Sequence, residues 1–166
     1  VDSLVAGSHG LGFDNVMHYY SEQCTKEETQ MIDAFIAHTG LKGNVTPYIF
    51  TGSNELLQHF SKGFYQGITV GCPGFYGPQG RVLRLGLAYP GLIEKLTDFR
   101  FGNTFISNFE METSAIYGLG RALRHRCLSL NVIVANRVLK QFSKDGAAAV
   151  ENLIKASLEI IAAHNL

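Results

Sequence analysis

The sequence contains no tryptophan, only four prolines and three cysteines, and no excess of either charge. Its 14 basic side chains balance its 14 acidic ones, and no run of lysine or arginine is long enough to follow a phosphate backbone. Nucleic acid is therefore disfavoured as a partner. No apolar run reaches the ~20 residues that span a bilayer, so we expect no membrane segment and a soluble, cytoplasmic protein.

Patterns that bind metals or redox cofactors are also missing. The three cysteines form no Cys-x-x-Cys pair and have no histidine at zinc-ligand spacing. We therefore predict that Cys24, Cys72 and Cys127 are reduced, mostly buried thiols, and that there is no metal site. The glycines of residues 9–12 do not continue into a Gly-x-Gly-x-x-Gly fingerprint, so no nicotinamide or flavin cofactor is expected either.

Hydrophobic periodicity predicts strands that alternate with helices. Strands are expected at residues 3–8, 47–51, 67–72, 104–109 and 127–135. Helices are expected from the capping box Thr25-Lys26-Glu27-Glu28 to near Gly40, after Ser53, over 92–97, over 113–124 and from Ser143 onward. This alternation predicts an α/β fold, with a layered mixed sheet flanked by helices and at least partly parallel, in a single domain of residues 1–166.

Some finer expectations concern turns and buried faces. Residues 9–12 are expected to form a glycine-rich turn, and residues 127–135 a strand buried on both faces. The helix over 113–124 is expected to bury Ala115, Leu119, Ala122 and Leu123. The last helix is expected to bury Val150, Leu153, Ile154, Leu158 and Ile161.

The first of two informative segments is residues 74–81, Gly-Phe-Tyr-Gly-Pro-Gln-Gly-Arg. It combines an aromatic face with an amide and a guanidinium on a tight turn. Gln79 can donate and accept in one plane, and Arg81 presents a planar fork of donors. The pair suits a ligand whose edge alternates carbonyl and N–H groups, as the edge of uracil does. From the residues alone, a solvated surface loop beside an ordinary core aromatic is the alternative.

The second segment is residues 108–115, Asn-Phe-Glu-Met-Glu-Thr-Ser-Ala, where two acids surround a methionine at the junction of a strand and a helix. A carboxylate at Glu112 can accept hydrogen bonds from two adjacent hydroxyls of a sugar. Strand alternation directs Glu110 toward another face. The alternative is that both acids only favour the helix N-terminus through the macrodipole.

Together the two segments resemble the nucleoside phosphorylase family. Residues 75–81 are similar to the base-recognition segment of uridine phosphorylases, and residues 110–112 to the Glu-Met-Glu ribose-binding segment of the wider family. The resemblance runs almost unbroken from Val1 to Arg137 and is weaker afterwards. It implies a nucleoside phosphorylase-like fold and a pentosyltransferase of pyrimidine salvage, which cleaves uridine with phosphate to uracil and ribose 1-phosphate.

The resemblance also implies a role for each site residue. Gln79 and Arg81 would act catalytically by holding uracil as an anionic leaving group. The substrate-binding set would add an aromatic against the base, the sugar-binding segment and an arginine that braces the loop: Phe75, Glu110, Met111, Glu112 and Arg137. Phosphate would be the co-substrate, without any cofactor. The subunits would form a homo-oligomer, a dimer or a hexamer.

The resemblance leaves other functions open. Purine-cleaving relatives carry a Ser-Asp pair where this sequence has Ala135-Asn136, so the missing aspartate disfavours a purine nucleoside phosphorylase or nucleosidase. A non-catalytic nucleoside-binding fragment is a further alternative. The family's phosphate-binding Gly and Arg residues lie upstream of the point where this sequence begins. We therefore expect the chain to be incomplete at its N-terminus and inactive alone.

Overall fold

The structure, a computed structural model, describes residues 1–41, 43 and 45–166. None of the helices in these ranges is long and apolar enough to cross a membrane. The strands and helices are, in chain order, β1 (Leu4–Gly12), α1 (Lys26–Thr39), β2 (Tyr48–Thr51), α2 (Asn54–His59), β3 (Tyr65–Gly71), α3 (Leu92–Asp98), β4 (Arg100–Phe101), β5 (Thr104–Glu110), α4 (Thr113–Ala122), β6 (Leu130–Val132), β7 (Ala135–Asn136), β8 (Gln141–Phe142) and α5 (Gly146–His164).

Strand β1 lies inside a mixed sheet. It pairs in parallel with β3, and β3 pairs in parallel with β5. The end of β1 pairs antiparallel with β2 and its start antiparallel with β6, while β4 and β5 form a short antiparallel hairpin. β7 and β8 form a separate two-stranded ribbon. This mixed sheet flanked by helices confirms the predicted α/β class.

The main hydrophobic core lies where α1 and α3 pack on the sheet. Burying one large apolar side chain completely contributes roughly 1.5–3 kcal/mol to stability. Members of this core that are at most 2% exposed include Leu11, Met31, Phe35, Ile68 and Leu96.

Helix α1 begins at the predicted capping box. The Thr25 hydroxyl accepts the backbone N–H of Glu28 at 3.2 Å, and Glu28 Oε2 accepts the backbone N–H of Thr25 at 2.8 Å. The helix ends at Gly40, whose φ of 72° lies in the left-handed region that favours glycine. Both ends of α1 therefore follow from local sequence signals.

The expected turn at residues 9–12 is wrong, because β1 continues to Gly12. The glycines permit close packing instead. A Cβ at Gly10 would lie 2.8 Å from Cα of Ser114, and a Cβ at Gly12 would overlap the ring of Tyr48. Glycine thus lets α4 and β2 approach β1 more closely than a side chain would allow.

The expected strand at residues 127–135 is also wrong in length and in burial. Leu130–Val132 forms one short strand there and Ala135 begins another, β7, and the side chains of both are partly exposed rather than buried on both faces. This strand, β6, pairs with the start of β1 and packs against α5. It is a short strand at the margin of the sheet, although its apolar run resembles that of a central strand.

The predicted apolar face of α4 is only half right. Ala115 and Leu119 are partly buried, whereas Ala122 and the following Leu123 are exposed. The helix instead buries small and polar groups. These can lie close to β1 because their hydrogen bonds are satisfied. The Tyr117 hydroxyl, for example, donates to a main-chain oxygen of β1 at 2.6 Å. The buried residues of α4 are Thr113, Ser114, Tyr117, Gly118 and Gly120.

Helix α5 differs from its prediction in start and in orientation. It begins at Gly146 rather than Ser143, because the Asp145 carboxylate accepts a backbone N–H of the first turn at 2.9 Å. Leu153 packs on the core as predicted, and the small Ala149 is buried, which lets the helix lie close to the sheet. The other residues predicted to be buried are 37–58% exposed: Val150, Ile154, Leu158 and Ile161.

Candidate functional site

A cavity of about 990 Å³ opens where the parallel strands β3 and β5 end. The strands are in register there, with Gly71 opposite Glu110, so the segments that follow them meet at one edge of the sheet. Ligands of open α/β sheets bind at such an edge. The walls of the cavity include every residue predicted to bind substrate: Phe75, Gln79, Arg81, Glu110, Met111, Glu112 and Arg137.

Local backbone geometry buries the side chain of Gln79. Residues Gly77–Gln79 form one 3-10 turn, which ends at Gly80 with a φ of 75°. Pro78 fixes φ within this turn, and glycine adopts the left-handed conformation after it without strain. Gln79 is only 4% exposed, although residues 75–78 before it are exposed. Its amide is therefore a buried polar group that requires partners.

Arg137 donates two hydrogen bonds to Gln79, and one of them goes to the side-chain amide. One guanidinium nitrogen donates to the main-chain oxygen of Gln79, and the other donates to its side-chain Oε1. Because a guanidinium has only donors, the atom of Gln79 that faces it must be the amide oxygen. Burial, and then the nearby charge of Arg81, lower the pKa of Arg137. Two cations therefore converge on the loop that carries Gln79.

Arg81 and Phe75 contact each other in two ways. The guanidinium carbon of Arg81 lies 3.5 Å from the ring centroid of Phe75, and its Nη1 donates to the main-chain oxygen of Phe75 at 2.5 Å. The Phe75 ring is 52% exposed, and a cation at such a site contributes roughly 0.5–1 kcal/mol. One face of Phe75 is thus covered by Arg81. A stacked base would take the opposite face or replace the guanidinium.

Glu110 and Glu112 have different surroundings. Glu110 Oε2 accepts the backbone N–H groups of Glu112 and Thr113, both at 2.8 Å, and so caps the first turn of α4. Its Oε1 is buried and has no hydrogen-bond partner among the described residues. Glu112 is exposed and makes no side-chain capping bond, and Met111 beside it is 42% exposed. The carboxylate of Glu112 is therefore free to meet a ligand, while Glu110 organises the helix end.

Asp14 supports the site, although the sequence patterns did not predict this role. It accepts the hydroxyls of Tyr48 at 2.7 Å and Ser114 at 3.0 Å, and the backbone N–H of Val16 at 2.9 Å. Burial raises the pKa of Tyr48, which keeps its hydroxyl a donor. Because Ser114 lies in the first turn of α4, Asp14 joins the end of β1 to the segment that carries Glu112. Its position, soon after a strand that ends at the ligand edge, was the signal that could have identified it.

Asn108 is a second supporting residue whose part was not recognised. Its Oδ1 accepts the hydroxyls of Thr69 and Ser107, each at 2.9 Å. Asn108 is 8% exposed and lines the cavity. These hydroxyls fix the orientation of a buried amide beside Glu110, in the last part of β5.

No protein-family model matches the chain, but individual known proteins do. A uridine phosphorylase from Thermococcus kodakarensis is 28% identical over 108 residues, which are 65% of this chain and 38% of that protein.

Solved structures match over more of the chain. A Trypanosoma brucei nucleoside phosphorylase, described as showing uridine phosphorylase activity, matches with a TM-score of 0.85 and 26% identity, over 97% of this chain and 58% of that one. A uridine phosphorylase structure from the oomycete Phytophthora capsici matches with a TM-score of 0.50 and 18% identity, over 91% of this chain and 54% of that one. The second match is a likeness of fold alone.

The chain spans 38–58% of the length of these relatives. Its mixed α/β sheet has the nucleoside phosphorylase architecture that the sequence resemblance implied, over nearly the whole of its length. In sequence and in fold, the chain is therefore similar to the uridine phosphorylases of the nucleoside phosphorylase family.

Proposed function

We propose that this chain carries the base and ribose sites of a uridine phosphorylase, a pentosyltransferase that converts uridine and phosphate to uracil and ribose 1-phosphate. The observation that carries the proposal is the convergence of the predicted site residues on one cavity. The similarity to proteins described as uridine phosphorylases supports it. Phosphate is the proposed co-substrate, without a cofactor. Pyrimidine salvage in the cytoplasm, by a dimeric or hexameric homo-oligomer, is the proposed setting.

The base site acts on the charge of the leaving group. When the bond between C1′ and uracil breaks, its electron pair stays on the base, and negative charge spreads to the carbonyl oxygens. In the proposed complex Arg81 donates to one carbonyl, and the Gln79 amide meets the adjacent N–H and carbonyl. Donors that strengthen their bonds as this charge grows lower the barrier more than they tighten substrate binding. Phe75 supplies an aromatic surface for the ring.

The ribose site fixes the sugar during this step. Glu112 accepts the 2′- and 3′-hydroxyls, and its charge strengthens both hydrogen bonds. Met111 packs against the sugar, while Glu110 holds the segment through its two bonds to the backbone. Phosphate attacks C1′ from the face opposite the base, so that a C–O bond forms as the C–N bond breaks.

Base preference is the first test of the proposal. Calorimetric titration of the chain with uridine and with inosine should show uridine binding at least ~10-fold more tightly, because a purine leaves buried donors unpaired. Arg126, which forms an exposed ion pair with Glu55, offers a control, since Arg126→Met should not change either affinity. Equal affinity for inosine, or no affinity for uridine, would refute the base assignment.

Uracil release distinguishes phosphorolysis from its alternatives. Uridine is incubated with the full-length protein, with and without inorganic phosphate, and the products are separated by chromatography. Release that requires phosphate, with ribose 1-phosphate as the second product, supports the proposal. Release in water alone would indicate a nucleosidase, and uridine binding without any release would indicate a nucleoside-binding protein.

A further inference from the structure

The Gln79 amide is held in one orientation by Arg137. Two donors of the same guanidinium reach the main-chain oxygen and the side-chain oxygen of Gln79, so the side chain is tied to its own backbone through Arg137. Gln79 is 4% exposed, so little of it contacts solvent. Gln79 also lines the cavity, so Arg137 sets the orientation of an amide at the cavity wall.

Rotation of this amide by half a turn would be unfavourable. It would bring the NH₂ group of Gln79 against the guanidinium of Arg137, where two sets of donors would face each other and a buried oxygen would lose its partner. An unsatisfied group of this kind costs ~1–3 kcal/mol. A glutamine without Arg137 would have no such preference, because an amide can present either its donor or its acceptor in the same plane.

We propose that Arg137 is a positioning residue that makes the site select uracil over cytosine. This rests on the proposed function and assigns the discrimination to the fixed Gln79 amide. The oxygen of Gln79 keeps one lone pair for a ligand N–H, and its NH₂ offers a donor to the adjacent carbonyl. Uracil presents this pair at N3–H and the carbonyl at C4, the position where cytosine carries its amino group. Cytosine has an unprotonated N3, so its acceptor would face the fixed oxygen.

A free amide would remove this discrimination. After rotation, Gln79 would donate to N3 of cytosine and accept from its exocyclic amino group, with as many hydrogen bonds as uracil makes in the other orientation. Residues that merely shape the pocket would weaken both bases together. The ratio of the two affinities therefore reports the orientation of Gln79, and the affinity for one base alone does not.

The experiment compares uracil and cytosine as free bases, by calorimetric titration. Arg137→Met should lower the ratio of uracil affinity to cytosine affinity by about 10-fold or more, mainly because cytosine binding improves relative to uracil binding. Arg137→Lys should give an intermediate ratio, because one ammonium cannot reproduce the planar fork that reaches both oxygens. Arg126→Met, which removes an exposed arginine from another part of the surface, should leave the ratio unchanged.

The possible outcomes separate this inference from the proposed function. If Arg137→Met and Arg137→Lys both lose uracil and cytosine affinity in equal proportion, Arg137 is a structural brace and the inference is overturned. If the unmodified protein binds both bases equally, the inference fails while the base site stands. If it binds neither base, the proposed function itself is refuted. The lysine variant keeps the test decisive if the methionine variant does not fold.

Discussion

Arg121 binds the buried carboxylate of Glu28 with both arms of its guanidinium. Its Nη1 lies 2.8 Å from Oε2, and its Nη2 lies 2.5 Å from Oε1. Glu28, which is 1% exposed, also accepts the backbone N–H and the hydroxyl of Thr51 at 2.6 and 2.7 Å. One carboxylate thus joins the start of α1 and the end of β2 to the far end of α4, whose first turn borders the candidate site.

This ion pair predicts acid sensitivity. Burial raises the pKa of Glu28, but hydrogen bonds from Arg121, Thr25 and Thr51 outweigh it and lower the pKa from 4.5 to about 2. The charged form therefore stabilises the fold above pH 4.5, and this contribution is lost as the pH falls toward 2. We expect a loss of up to ~3 kcal/mol in the free energy of unfolding, measured with urea at several pH values. Glu28→Gln should remove this dependence and Glu27→Gln should keep it; the reverse pattern would contradict the assignment.

The proposed sugar site predicts a difference between ribose and deoxyribose. Glu112→Gln keeps the shape of the side chain but removes its charge, so uridine turnover should fall more than 2′-deoxyuridine turnover, which lacks one of the two hydroxyl contacts. Turnover of both substrates is measured in the same preparation of the full-length protein, with Glu151→Gln on the outer surface as a control. Equal losses on the two substrates would show that Glu112 acts only on the helix end.

The proposed leaving-group role of Arg81 predicts an effect on the rate. In the full-length protein, Arg81→Ala should lower kcat by an amount equivalent to ~2–4 kcal/mol, with a smaller change in KM, because the contact strengthens as charge reaches the base. Arg84, three residues along the same loop and exposed, provides a matched control. A change in KM with an unaltered kcat would mean that Arg81 only binds the ground state.

Close packing beneath the site predicts coupling between Gly71 and Ser114. A Cβ at Gly71 would overlap the Ser114 hydroxyl, so Gly71→Ala should destabilise the fold by ~1–3 kcal/mol. The same change in a Ser114→Ala background should cost less, because the overlapping oxygen is gone. Urea denaturation of the two single variants and the double variant measures this coupling. Strictly additive effects would contradict the packing.

Local signals in the sequence predicted the parts of the structure that neighbouring residues determine. The capping box of Thr25 and Glu28 and the left-handed Gly40 gave both ends of α1. The pairing of Glu28 with Arg121 could not be predicted in the same way, because the two residues are 93 positions apart. For the same reason, the segment of residues 75–81 indicated Gln79 as a base contact but did not reveal that Arg137, 58 positions later, fixes its amide.

The buried faces of helices were predicted less well, for a physical reason. An apolar stripe predicts the buried face of a helix, yet α4 buries Ser114 and Tyr117 because each hydroxyl has a hydrogen-bond partner. In α5, the small Ala149 is buried while the larger Ile154 and Leu158 are exposed. Periodicity gives the spacing of a face but not the partner against which it packs.

We expect one cavity to bind both the uracil and the ribose of a nucleoside, and a crystal structure of the protein with uridine bound will show whether it does. The uracil edge should lie within hydrogen-bond distance of Gln79 and Arg81, and the ribose diol within hydrogen-bond distance of Glu112. Uridine bound outside this cavity, or bound within it with its sugar at Gln79 and its base at Glu112, would refute the proposed site.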